Sequence, residues 1–254
     1  MLYPIQNGVR NRLDLSGIWA FRIDPDEVGE QQGWFNGLAN WQPIAVPGSW
    51  NEQYADLFNY LGLAWYVTRT FVPRGWRGQR IFIRVGSANY FGAVFVNGSR
   101  VGSHEGGHLP FAFEITNLVR WDDENVIAIS VENHLEPTRV PAGNMSSALG
   151  SVGGYPPTTF DFFPFAGIHR PVVLYSVPRT FIDDVTVVTS IDGTDGAVQV
   201  TVRLSDEAAA GGLSLTGGGD EINADLVFAG GIADATLTIP SARFWSNTDP
   251  YLYD

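Results

Sequence analysis

YFGAVFVNGSRVG, residues 90–102, predicts two β-strands joined by a tight turn. Asn97-Gly98 is the strongest short-range hairpin signal, because both central residues of the turn need positive φ, which Asn and Gly adopt most readily. On either side of this hairpin, short runs alternate apolar and polar residues with period 2, the pattern of strands with one buried face. One such run, residues 81–85, places apolar side chains on one face and Arg84 on the other. The remaining runs lie at residues 111–115, 127–131 and 198–202.

Helical periodicity is scarce along the chain. The best helical window runs from Trp50 to Leu61 and is closed by Gly62, so the sequence predicts an all-β protein. Aromatic residues are concentrated before residue 180, whereas Gly-rich turns separate simpler strands after it. We therefore expect a jelly-roll, galactose-binding-like β-sandwich over residues 1–180.

The second domain, residues 181–254, is predicted to be an immunoglobulin-like β-sandwich, a fold whose usual size is roughly 100 residues. The final residues, PYLYD, have the character of a strand without a closing turn. We therefore expect this domain to continue beyond Asp254.

Composition excludes several classes of function. The net charge of −12 repels phosphate backbones, so we expect no nucleic-acid partner. The chain has no cysteine, which excludes disulfides, thiolate-bound zinc and a cysteine nucleophile. Neither a run of about 18 apolar residues nor a signal peptide is visible, so we expect a cytoplasmic protein without a membrane span. No cofactor is expected.

His104-Glu105-Gly106-Gly107-His108 matches the H-E-x-x-H signature of zinc proteases. That chemistry needs a helix, which places both histidines on one face. The two central glycines disfavour a helix by about 1 kcal/mol each, and a proline follows almost at once. The segment also follows the predicted hairpin, so we interpret it as a strand and turn that holds no metal.

Asp161 stands among aromatic residues in FDFFPFAGIHR, residues 160–170. Burying a carboxylate without a partner costs several kcal/mol, so the pattern predicts a hydrogen-bonding role for Asp161. That role is either a ligand contact or a structural cap on neighbouring backbone N–H groups, and composition favours neither. The surrounding rings either stack on the apolar face of a sugar or fill the sandwich core, which is the more common role.

Two longer motifs are DFFPFAGIHRPVVLY, residues 161–175, and IDDVTVVT, residues 182–189. Together they resemble the region of β-glucuronidases, in glycoside hydrolase family 2, where the jelly-roll ends and the immunoglobulin-like domain begins. The resemblance extends back to LDLSGIWAFRID, residues 13–24, and forward to FWSNTDPYLYD, residues 244–254. It covers essentially the whole chain, in the family's order, and is weakest between about residues 190 and 240.

The resemblance implies that a (β/α)8 barrel follows the two β-domains and carries catalysis. Family members are retaining hydrolases, which use two carboxyl groups roughly 5–5.5 Å apart as nucleophile and acid/base. In the family both are barrel glutamates, and neither has a counterpart in residues 1–254. We therefore expect no catalytic residue and no hydrolysis in this chain alone, and a parent protein that is a glycoside hydrolase.

What carries over from the family is Asp161, which there reaches from the jelly-roll into the mouth of the barrel and hydrogen-bonds sugar hydroxyls. The motif departs from the family pattern at two places, where Pro164-Phe165 replaces Asn-Tyr and Phe160 replaces a common histidine. The resemblance thus implies the N-terminal, non-catalytic part of a β-glucuronidase that lends Asp161 to the sugar pocket. Its expected partners are a glucuronide substrate, its own barrel and further copies of itself. The alternatives are a free-standing carbohydrate-binding module and a purely structural pair of β-sandwiches.

Overall fold

A computed structural model of the protein describes residues 3–143, 162–206, 210–217 and 220–254. The chain divides into two compact units, Met1–Val177 and Pro178–Asp254, each with its own core. Nearly all regular structure is β-strand in antiparallel pairing, which confirms the predicted fold class. No helix in the described ranges is long and apolar enough to cross a membrane.

Two antiparallel sheets form the first unit. The first sheet contains five strands: β1 (Asn11–Asp14), β4 (Gly48–Ser49), β6 (Arg80–Asn89), β9 (Phe111–Glu114) and β11 (Gly167–Val177). The second contains six: β2 (Gly17–Asp24), β3 (Gln42–Val46), β5 (Leu63–Thr70), β7 (Phe91–Val96), β8 (Ser99–Glu105) and β10 (Asn125–Glu132). In space the first sheet runs β1-β11-β6-β9, with β4 also paired to β11, and the second runs β3-β2-β5-β10-β7-β8.

The predicted hairpin joins β7 to β8. Asn97 and Gly98 have φ angles of 51° and 88°, as a two-residue hairpin turn requires. The Asn97 side chain also makes three hydrogen bonds: its Nδ2 donates to Leu118 O at 2.7 Å and to Asn125 Oδ1 at 2.9 Å, and its Oδ1 accepts from Val126 N at 2.9 Å. The turn is thereby tied to β10, the strand that pairs with β7.

The main core of the first unit lies between its two sheets. The predicted alternation is confirmed by full burial of the apolar positions of β6 (Ile81, Ile83, Val85) and of β10 (Ile127, Ile129, Val131). The prediction of a single buried face is wrong for β10, where Ala128 and Ser130 are buried as well. The loop that carries Trp34 and Phe35 packs on this second face of the sheet and forms a separate apolar cluster there.

Arg84 also departs from its predicted place on a solvent-exposed face of β6. The residue is only 6 % exposed. The segment before β1 turns back over the outer face of the first sheet, so that the Tyr3 ring lies against Arg84, with 5.1 Å between the ring centroid and the Cζ atom. Because Tyr3 and Arg84 are far apart in sequence, the alternation of residues along β6 could not predict this contact.

The helical window predicted at residues 50–61 contains only two short turns. Helix α1 (Trp50–Gln53) is a single turn capped by Ser49, whose Oγ accepts from Asn51 N at 3.1 Å. Trp50 is fully buried, so core packing rather than helical propensity fixes this segment. Turns of 3₁₀ helix lie at Trp34–Asn36, Ala55–Leu57, Arg74–Trp76 and Thr116–Leu118.

The second unit contains five described strands in two antiparallel groups. They are β12 (Ile182–Asp192), β13 (Asp195–Leu204), β14 (Ala210–Gly217), β15 (Asp220–Val227) and β16 (Ile232–Ile239). A three-stranded sheet runs β12-β13-β16, and β14 and β15 form a hairpin. Val198, Val200 and Val202 of β13 lie in the core of this unit, which confirms the period-2 prediction for residues 198–202.

Candidate functional site

The described part of the Asp161 motif begins at Phe162, and Asp161 itself lies outside the described residues. Residues 162–166 lead directly into β11. Gly167, the first residue of that strand, has a φ of 110°, and a Cβ atom there would lie 2.8 Å from Tyr66 Oη. Glycine is therefore required at the point where the motif enters the sheet.

Asn51 holds the motif from the side of helix α1. Its Oδ1 accepts a hydrogen bond from Ala166 N at 2.8 Å. Its Nδ2 donates to Leu57 O at 3.2 Å and to Phe58 O at 2.8 Å. Asn51 is buried, so these bonds form where an unpaired polar group would be costly. One side chain thus links the loop after α1 to the entry of β11.

Asn89, at the end of β6, holds the motif from a second side. Its Nδ2 donates to Phe165 O at 3.1 Å, and its Oδ1 accepts from His108 N at 3.0 Å and from Ser87 Oγ at 3.0 Å. Asn89 is fully buried. The Asp161 motif and the segment that ends at His108 are therefore joined through the two ends of one amide.

An aromatic surface, formed by Phe58, Phe162 and Phe163, lies beside these hydrogen bonds. The Phe58 and Phe163 ring centroids are 4.7 Å apart, and Phe162 lies 6.3 Å from the ring of His108. Phe58 is 44 % exposed and Phe162 is 48 % exposed. Phe58 and Phe162 therefore do not fill the core, the more common of the two roles considered for such rings.

His108 and His169 border the aromatic surface, with 6.4 Å between their ring centroids. Burial lowers the pKa of both imidazoles. The charge of Arg170 lowers the pKa of His108 further, and His108 does the same to His169. Both rings are therefore mainly neutral at pH 7, and neither brings a positive charge to this surface.

The pKa shifts of His169 and His134 predict that the stability of the first unit depends on pH. Because the pKa of His169 lies below 6.5, the unfolded chain takes up that proton more readily, so the stability that His169 contributes is present above pH 6.5 and lost as the pH falls. His134 acts in the opposite sense, because its hydrogen bond with Glu132 raises its pKa. Between about pH 7.5 and about pH 5.5 we expect His169→Asn to flatten the pH dependence and His134→Asn to steepen it. Denaturant titrations followed by tryptophan fluorescence measure both slopes, and equal slopes in the two variants would contradict the prediction.

The segment that matches H-E-x-x-H has the predicted strand-and-turn conformation. His104 and Glu105 end β8, whereas His108 lies in the following turn with a φ of 66°. The ring of His104 stacks on Phe111 at 4.7 Å. The two histidines therefore do not share a helix face, and in the described part of the chain no three His, Asp or Glu side chains are grouped so that they could hold a metal ion.

The loop after β10 is held by ion pairs as it approaches residue 143. Arg139 Nη1 lies 2.6 Å from Glu132 Oε2, and Arg139 Nε lies 3.2 Å from Glu105 Oε1. His134 Nδ1 lies 2.5 Å from the second oxygen of Glu132. Burial alone would raise the pKa of Glu132, but hydrogen bonds with His134 and Arg139 outweigh it and lower the pKa. Described residues thus fix the chain on both sides of residues 144–161.

Sequence reasoning pointed to the Asp161 motif but missed the two asparagines that hold it. Asn51 is 115 residues from Ala166, and Asn89 is 76 residues from Phe165. A serine such as Ser49 is a typical helix cap, but this local preference carries no information about residue 166.

Residues 13–178 match a family model described as "Glycosyl hydrolases family 2, sugar binding domain". The chain belongs to glycoside hydrolase family 2. Among family 2 enzymes it is similar to the β-glucuronidase of Paenibacillus borealis, with 36 % identity over 260 residues, and to that of Canis lupus familiaris, with 37 % over 273 residues. These alignments cover 100 % and 99 % of this chain, but 43 % and 41 % of the two enzymes.

A solved structure of a family 2 enzyme is also similar to nearly the whole chain. The β-glucuronidase from Ruminococcus gnavus, in complex with D-glucuronic acid, matches with a TM-score of 0.82 and 30 % identity, over 99 % of this chain and 43 % of that one. The chain therefore spans about two fifths of the length of these relatives and corresponds to their N-terminal part.

Proposed function

We propose that the chain is the N-terminal, non-catalytic part of a β-glucuronidase, a retaining enzyme that hydrolyses β-glucuronides. The observation that carries this proposal is similarity along the whole chain to β-glucuronidases from bacteria and a mammal. The two carboxyl groups that perform retaining hydrolysis would belong to a barrel outside residues 1–254. The role of this chain would be to support that barrel and to shape the sugar pocket.

In this proposal residues 1–180 form the sugar-binding jelly-roll and residues 181–254 form an immunoglobulin-like sandwich. The two facing antiparallel sheets of the first unit, and the three-plus-two strands of the second, support the assignment. A cytoplasmic location and a homo-oligomeric parent enzyme remain predictions.

We assign Asp161 the role of accepting hydrogen bonds from sugar hydroxyls. Its neighbour in the chain, Phe162, belongs to the aromatic surface, which offers the apolar contact that a pyranose ring needs. Asn51 and Asn89 hold Ala166 and Phe165, so the later part of the motif has a defined position.

The proposed function predicts that catalysis needs more than this chain. The purified 254-residue chain should release no p-nitrophenol from p-nitrophenyl β-D-glucuronide above a buffer blank. The full-length protein should hydrolyse that substrate, and the matched β-D-glucoside and β-D-galactoside should be poor substrates. Turnover by the isolated chain, or a preference of the full-length protein for a neutral sugar, would overturn the proposal.

A free-standing carbohydrate-binding module is the competing function, favoured by the sugar-binding character of the matching family model. A module of that kind must bind sugar by itself. One charge-assisted hydrogen bond contributes about 1.5–3 kcal/mol, less than the roughly 4.1 kcal/mol that corresponds to millimolar affinity, so Asp161 alone does not make a tight site. Micromolar binding of a monosaccharide to the isolated chain, measured by calorimetry, would support the module instead.

A further inference from the structure

Arg84 carries a buried positive charge that no carboxylate in the described residues balances. The residue is 6 % exposed, and its Nε is buried without a hydrogen-bond partner. Burial lowers the pKa of its guanidinium, and the groups that raise it are the tyrosines Tyr3 and Tyr175, not a carboxylate. Arginine is rarely buried unless it is paired, so this position calls for a partner that the described chain does not supply.

The contact with Tyr3 does not use the hydrogen-bonding edge of the Arg84 guanidinium. The Arg84 Cζ lies over the Tyr3 ring, 5.1 Å from its centroid, an arrangement that uses a face of the planar group. Because Nε is buried, a ligand would have to be bound by the two terminal nitrogens. The parallel N–H bonds of these two nitrogens match the two oxygens of a carboxylate. A carboxylate is therefore the anion that this guanidinium group prefers.

Two further arginines add positive charge on the same face of the first sheet. Gly86 shares this face with Arg84, and a Cβ atom there would lie 2.5 Å from the Cβ of Arg170, so glycine lets Arg170 pack close by. The Cζ of Arg12 lies 5.1 Å from the same tyrosine ring that covers Arg84. The carboxylate of Asp14 offsets one of these charges, at 3.3 Å from Arg12. The result is a local positive surface on a chain whose net charge is −12.

We propose that this face of the first sheet binds a carboxylate at Arg84, with Arg170 and Arg12 strengthening the local positive potential. A sugar acid such as glucuronate and an acidic side chain of a protein segment present the same group to it. A sugar acid would in addition place its ring near Tyr3. The site uses residues of the first unit alone and does not depend on the proposed hydrolytic function.

The test is an NMR titration of the 254-residue chain with D-glucuronate, acetate and D-glucose. We expect both carboxylates to bind with a Kd of about millimolar, and glucose not to bind measurably. Arg84→Gln should weaken carboxylate binding by about tenfold or more, the loss expected for one charge-assisted hydrogen bond. Arg84→Lys keeps the positive charge but loses the two parallel N–H donors, so it should weaken carboxylate binding as well.

Arg100→Gln is the matched control, because it removes the same charge from an exposed position on β8 and should leave carboxylate binding unchanged. If both Arg84 variants fail to fold, Arg170→Gln at an exposed position should still weaken binding measurably. Equal affinities for acetate and glucuronate would indicate recognition of the carboxylate alone, as for an acidic side chain, whereas tighter glucuronate binding would add recognition of the sugar ring. Failure of the parent chain to bind either carboxylate, or undiminished binding in the folded Arg84 or Arg170 variants, would overturn the proposal.

Discussion

Replacement of Asn51 by alanine should lower the free energy of unfolding of the first unit by about 3–5 kcal/mol. The change leaves the buried N–H of Ala166 without its acceptor, which costs about 1–3 kcal/mol, and removes the hydrogen bonds to the carbonyls of Leu57 and Phe58, worth about 1 kcal/mol each. Chemical denaturation followed by tryptophan fluorescence measures the loss.

Two control variants locate the origin of that loss. Asn117→Ala makes the same chemical change at an exposed position and should stay within about 0.5 kcal/mol of the parent chain. Asn51→Asp keeps the acceptor for Ala166 N but loses the two donors, and it should be destabilising as well. If Asn51→Ala were as stable as Asn117→Ala, Asn51 would not hold the entry of β11.

The sequence could predict the elements of the fold that depend on neighbouring residues. Asn97-Gly98 determines its turn through the φ angles that its own two residues adopt, and alternation along β6 or β13 follows from the pleat of a single strand. The same local argument identified the H-E-x-x-H match as a strand and turn, since two glycines weaken any helix there.

Elements of the site that depend on distant contacts could not be predicted in this way. Arg84 lies against Tyr3, and β10 is buried on both faces because a loop with Trp34 packs over it. No pattern within either strand carries that information. Asn51 and Asn89 are likewise ordinary polar residues until the sheet brings them to residues 165 and 166.

Asp161 was predicted from two other observations, its aromatic surroundings and the family resemblance. The aromatic surroundings of Asp161 predicted a hydrogen-bonding role without choosing between a ligand and a backbone cap, and the family resemblance favoured the ligand. The structure describes the residues that follow it and not Asp161 itself, so its role stays a prediction that needs a functional test.

In the full-length β-glucuronidase proposed above, Asp161→Asn should reduce kcat/KM for a glucuronide by roughly 10- to 150-fold. The substitution keeps the shape of the side chain, removes its charge and turns one acceptor into a donor. The loss of charge-assisted hydrogen bonds worth about 1.5–3 kcal/mol gives this range if the bonds persist in the transition state. The melting temperature should remain close to that of the parent, because the change is isosteric.

A backbone-capping role for Asp161 predicts the opposite combination. In that case the variant loses stability, because an amide replaces a carboxylate that accepts from backbone N–H groups, while kcat/KM of the folded fraction stays near normal. Asn51→Ala supplies the reference for the melting temperature, since it removes hydrogen bonds from the same segment. If Asp161→Asn resembled Asn51→Ala in melting temperature and left kcat/KM unchanged, Asp161 would belong to the scaffold and not to the sugar pocket.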